Sequence, residues 1–165
     1  MREVYLHELP RRKYPVTKTV KVVIGLPTAG YTQAEALKSL WLQAFHLGKY
    51  QIEHPEFEFH FKPSGRMLTA MNREMILAAA LNSNADYCFM IDDDMVFPAD
   101  IFERLYNHHV DVVAALAFTR NPPHLPVLYQ QREGWDPIKK QAFSKIEWII
   151  NYPKNKLVEV DAVGF

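Results

Sequence analysis

Asp92, Asp93 and Asp94 stand directly behind the apolar run Tyr87, Cys88, Phe89, Met90 and Ile91, and Met95, Val96, Phe97 and Pro98 follow them. A buried strand that ends in clustered carboxylates delivers negative charge to one edge of a sheet. Mutual repulsion there raises the carboxyl pKa values unless a cation answers the charge. A hydrated divalent cation that carries phosphates fits, because Mg²⁺ takes oxygen ligands, keeps several waters and needs only one or two carboxylates beside substrate phosphates. The competing reading is structural. An aspartate ahead of a helix caps amides and complements the dipole. That accounts for one carboxylate more readily than for three. Asp100 and Glu103 lie further on and read as first-turn helix charges.

Phosphate also calls for guanidinium forks. Arg66 follows the Pro63-Ser64-Gly65 break and opens a helix, Arg73 lies within that helix, and Arg120 ends a strand. Each is a candidate phosphate ligand, and each equally suits an ordinary ion pair. No other metal pattern competes. The histidines are scattered apart from His108-His109, and the chain has no CxxC, HExxH, GxxxxGK[ST], GxSxG or GxGxxG pattern. Phosphate is then held by metal and by basic side chains, without a glycine-rich loop.

The elements that would position these groups alternate. Residues 19–26 are rich in β-branched types and read as a strand, punctuated by Pro27-Thr28-Ala29-Gly30. Thr32 with Glu35 forms a capping-box pattern. Ala36, Leu37, Leu40, Trp41, Ala44, Phe45 and Leu47 recur at helical spacing, and Gly48 is the expected stop. Residues 57–61 alternate as a half-buried strand. Residues 67–81 read as a helix that packs through Met71, Met75, Ala78, Ala79 and Leu81. Strands are expected at 87–91 and 110–118, with a helix near 99–107 between them. Beyond Arg120 the pattern weakens. Short strands are expected within 127–129, 146–150 and 157–163.

This order predicts an α/β layered fold with a mostly parallel sheet. In such sheets ligands bind beyond the carboxyl ends of the strands, where both Pro27-Thr28 and the aspartates fall. Residues 1–19 read as a polar lead-in, and residues 20–165 as one domain. The 165 residues are 48% hydrophobic and 23% charged with zero formal net charge, an ordinary globular composition that argues against a general nucleic-acid-binding field. The lone Cys88 permits no intrachain disulfide and reads as a small buried hydrophobe. Neither a signal peptide nor a bilayer-length apolar run is found, so a cytoplasmic location without a membrane span is expected.

The segment from Ile91 to Pro98 resembles the DxD segment of GT-A glycosyltransferases, particularly the family-two-like group. Residues 22–28 resemble the first strand of that fold. Met71-Asn72-Arg73-Glu74 resembles the family's Arg-Asn helix, with the two residues in reversed order. Residues 113–120 and 158–165 resemble later strands. The resemblance implies a Rossmann-like, three-layer α/β/α GT-A domain. It implies a UDP- or GDP-linked sugar donor and an unknown acceptor, with Mn²⁺ or Mg²⁺. Asp94 and Asp92 would hold the metal, and Asp92 or Asp93 would contact ribose, sugar or the metal's water shell. Pro27 and Thr28 would line the nucleoside pocket. The aspartate with which many relatives read the base after the second strand has no counterpart here. The family's acceptor half, with its general base, would follow Phe165, so the chain reads as C-terminally truncated. The alternatives are a non-catalytic nucleotide-sugar-binding fragment and a sugar-nucleotide nucleotidyltransferase. The latter's basic glycine-rich loop is not matched by Pro27-Thr28-Ala29-Gly30-Tyr31.

Overall fold

The structure, a computed structural model, describes residues 18–163 apart from Ala29, Tyr31, Arg66, Met67, Arg120 and Pro137. The protein is mixed α/β and divides into two compact units, one ending at Tyr106 and the other beginning at Asn107.

The first unit is built on strand β1, Val20–Leu26. Val20, Val22, Val23, Ile24 and Leu26 are all buried. Such a continuous apolar run suits the middle of a parallel sheet covered on both faces. β2, Phe57–Pro63, and β3, Tyr87–Met90, flank it in parallel, giving the order β2-β1-β3. Helix α1, Ala34–Glu53, joins β1 to β2, and α2, Thr69–Asn82, joins β2 to β3. The short α3, Ile101–Tyr106, follows.

Side chains alternate along β1, so the two faces pack differently. Val20, Val22 and Ile24 join Leu47, Phe57, Ile91 and Phe102 in one core cluster. Tyr50 of α1 lies among the rings of that cluster, with centroids 5.3 Å from Phe57 and 6.3 Å from Phe102. Burial of its phenol pushes its pKa up to about 12, with the Glu103 charge adding to the effect. The other face carries Gly25 against Ile76 of α2, which is fully buried. A Cβ on Gly25 would lie 2.3 Å from Ile76 Cγ2, so glycine is what lets α2 approach the sheet. At the opposite end of the strands Asp86 holds β3 to β1. It accepts from Lys18 Nζ at 2.6 Å and from the Lys21 backbone N–H at 3.0 Å.

Several expectations need correction. α1 begins at Ala34 with Gln33 as N-cap and no side-chain cap hydrogen bond, so Thr32 and Glu35 form no capping box. It also runs through Gly48 to Glu53, because one exposed glycine costs only about 1 kcal/mol in a helix of this length. Its buried positions are Ala36, Ser39, Gln43 and Leu47, whereas Leu37, Trp41 and Phe45 are exposed. α2 likewise packs through Asn72, Ile76 and Ala80, leaving Met71, Met75 and Leu81 outside. In both helices polar residues on the sheet-facing side carried the signal that apolar periodicity alone misses. β2 buries Phe57 but exposes Phe61, as an edge strand does. Cys88 is half-buried, and burial pushes its thiol pKa up, which keeps it a poor nucleophile.

The second unit is antiparallel, so the described sheets are not mostly parallel. β4, Leu128–Asp136, pairs with β5, Gln141–Trp148, in a hairpin, and β6, Ala162–Val163, adds to the other side of β4. Phe143 lies over Gly134, where an added Cβ would sit 2.8 Å from the ring. Residues 110–117 form no strand. Phe118 makes one antiparallel bridge to Pro126, and Val112 is 90% exposed. β-branched residues favour a strand only where a pleated, half-buried surface receives them. The expected strand at 157–163 shortens to its last two residues, Ala162 and Val163, which pair with Tyr129 and Leu128.

Candidate functional site

The three parallel strands end together, since Leu26 is opposite Pro63 and Gly25 opposite Met90. The segments that follow them therefore emerge at one carboxyl edge. Their backbones are tied to the strands and to each other. The Ile91 N–H donates to Gly25 O at 2.9 Å, which carries β3's register up to the aspartates. The Ser64 N–H donates to Leu26 O at 3.0 Å, and the Ser64 hydroxyl accepts from the Thr28 N–H at 3.3 Å. Pro27 is buried and Thr28 half-buried. Beyond the aspartates, the Phe97 N–H donates to the Ser39 hydroxyl of α1 at 3.4 Å.

Thr28 and Asp93 meet directly. The threonine hydroxyl donates to Asp93 Oδ2 at 2.6 Å and accepts from the Gly30 N–H at 2.9 Å. The two bonds fix the hydroxyl rotor and join the end of β1 to the segment after β3. Gly30 has φ 98°, a backbone state that suits glycine. Asn72, one turn before Ile76 on α2, donates from Nδ2 to Thr28 O at 3.4 Å. Arg73, its neighbour, places Nη2 3.0 Å and 2.9 Å from the two carboxylate oxygens of Asp92. The pair is mostly withdrawn from solvent, with side chains 30% and 17% exposed.

Four of the candidates therefore converge: Thr28 with Asp93, and Arg73 with Asp92, form two hydrogen-bonded pairs drawn from three segments. The chain itself answers part of the acidic charge, through one guanidinium at Asp92 and a neutral hydroxyl at Asp93. Asp94 lies in the same turn and is half-buried. Arg66 and Arg120 lie outside the described residues. Asp100 belongs elsewhere: the Arg104 guanidinium, 2.8 Å away, holds its carboxyl below the usual range. Glu103 pairs with His46 of α1. Ser39, Ser64 and Asn72 were missed as site-building residues. Their signal was a small polar residue just past a strand end, or on a helix face that meets the sheet.

Among the described residues no group of three or more His, Cys, Asp or Glu side chains is arranged to hold a metal. The donor chemistry fits an open site: Asp92 and Asp94 offer hard oxygen ligands for Mg²⁺ or Mn²⁺, with the remaining positions left to water and phosphate. It does not fit a closed, all-protein cage. No helix among the described residues is long and apolar enough to cross a membrane.

The fold and site define an α/β protein with an acidic cluster, braced by arginine and threonine, at the carboxyl edge of a parallel sheet. No family model, curated protein or solved structure matches the chain.

Proposed function

We propose that the protein binds a nucleotide-diphosphate sugar at this edge and acts as a metal-dependent glycosyltransferase of the GT-A kind. The observation that carries the reading is the Thr28–Asp93 hydrogen bond. It holds the first and third strand ends together, and a nucleoside laid against Pro27 and Thr28 would have its diphosphate near the aspartates. Asp94 and Asp92 would hold Mn²⁺ or Mg²⁺. The bound cation would neutralise the leaving diphosphate as a Lewis acid. Thr28, through its oriented hydroxyl, presets Asp93 for a ribose or sugar hydroxyl. Arg73 keeps Asp92 aligned through both carboxylate oxygens, and its guanidinium would also serve a phosphate at this edge. The general base and the acceptor are unassigned.

Thermal unfolding tests the reading. A ligand that binds only the native state raises its melting temperature by mass action. UDP or GDP is expected to raise the melting temperature with Mn²⁺ and not with EDTA. Equal shifts in both conditions, or none in either, would count against it.

A further inference from the structure

Within the first unit, a groove of about 560 Å³ separates part of α1 from the carboxyl halves of β1 and β2. Leu37, Trp41 and Ala44 of α1 line one side, and Phe59 and Phe61 of β2 line the other. Its volume falls in the range of small-molecule sites, ~300–1,000 Å³. The α1 lining runs from Leu37 to Gln51, which at the helical rise is about 20 Å, so the groove is long. Trp41 and Phe61 are 59% and 60% exposed, an unusual state for rings so close to a core.

One polar group in this apolar lining is unexplained. Gln43 is 2% exposed, and its Nε2 has no hydrogen-bond partner among the described residues. A buried amide donor without an acceptor is costly, and native proteins rarely retain one without use. The terminal torsion of a glutamine is soft, so a turn of the amide would present Nε2 to the groove that Gln43 lines.

We propose that the groove binds a neutral, single-chain acyl ester or amide. The hydrocarbon lies along Leu37, Trp41, Phe59 and Phe61, and the carbonyl oxygen accepts from Gln43 Nε2. Among the described residues the lining includes no Asp, Glu, Lys, Arg or His to pair a charged head group. The length favours a chain over a compact ring. A docked helix, from this chain or a second copy, already uses its backbone carbonyls internally and would leave Gln43 as it is. The groove shares no residue with the aspartate segment, and the proposal does not rest on the glycosyl-donor reading.

The test uses the full chain with Trp135 and Trp148, the other two tryptophans, replaced by phenylalanine so that emission reports Trp41. Decanoylglycerol and its ether analogue decyl glyceryl ether are titrated below their micelle concentrations. The ester is expected to give a saturable one-to-one change and to bind about ten-fold more tightly than the ether, the worth of one hydrogen bond. Gln43→Leu should equalise the two ligands. Gly48→Leu should abolish binding of both. Among the described residues a Cβ at Gly48 meets nothing within 4 Å, and leucine is the better helix former, so this variant is expected to fill the groove with the helix kept. No saturable change with either ligand, or equal affinity for ester and ether in the parent, would overturn the proposal. So would a concentration-dependent dimer that Gly48→Leu abolishes, because it would assign the groove to a second copy.

Discussion

Arg73 Nη2 bridges both carboxylate oxygens of Asp92, at 3.0 Å and 2.9 Å, and so joins the first turns of α2 to the end of β3. The contact is only partly exposed, which places it between a surface pair of little worth and a buried pair that is expensive to break. A double-mutant cycle with Arg73→Ala and Asp92→Ala should give a coupling energy of about 1–2 kcal/mol in urea denaturation. Additive effects would mean that the pair is incidental.

Gly25 sets how closely α2, and with it Asn72 and Arg73, approaches the strand ends. Gly25→Ala forces Ile76 aside and is expected to cost about 1–3 kcal/mol. In an Ile76→Ala background the same substitution should cost clearly less, since the obstructing atoms are gone. An unchanged cost, measured by the same denaturation, would remove the steric explanation.

The fold and its site differ in how legible they were from the residues. β1 and β3 were readable because a continuous β-branched or apolar run between turn residues has few other uses. The position of the aspartates just past a strand end was readable from the apolar run before them, whereas the bonds of Asp92 to Arg73 and of Asp93 to Thr28 were not, because those partners are distant in sequence. The packing faces of α1 and α2 were not, because Gln43, Ser39 and Asn72 occupy sheet-facing positions that apolar periodicity assigns to solvent. The β4–β5 hairpin was legible only where the expected strands at 127–129 and 146–150 overlap its open end. Its middle carries Arg132, Lys145 and Glu147 on one face and Glu133 and Ser144 on the other, so pairing, not burial, defines it.

Tyr50 predicts an alkaline limb. Its folded pKa of about 12 lies above the ordinary value of 10.0, so folding favours the neutral phenol. That contribution is complete below pH 10 and is lost as pH rises through about 12. Tyr50→Phe should therefore lose stability less steeply than the parent across that window, as read by denaturant titration at successive pH values. Parallel curves would contradict the assignment.

Asp86 predicts the acid limb. The Lys18 hydrogen bond, and then the Lys21 N–H, hold its carboxyl below the usual range. Its contribution is present above the unfolded carboxyl pKa of about 3.9 and is lost as pH falls through the lower folded value. Asp86→Asn should cost about 1 kcal/mol at neutral pH, and the gap to the parent should close in strong acid. Proton-linked stability measured by urea titration checks this, and a gap that persists at low pH would refute it.

In the proposed function the aspartate segment would join a metal to a nucleoside diphosphate. Calorimetric titration of UDP and GDP, with and without saturating Mn²⁺, tests it most directly on three proteins: the parent, Asp94→Ala, and Asp100→Ala as an acidic control already paired with Arg104. At least one nucleotide should bind the parent and the control more tightly with Mn²⁺, by about ten-fold or more, and Asp94→Ala should lose this gain. Metal-independent binding of both nucleotides, or a gain that survives Asp94→Ala, would contradict it.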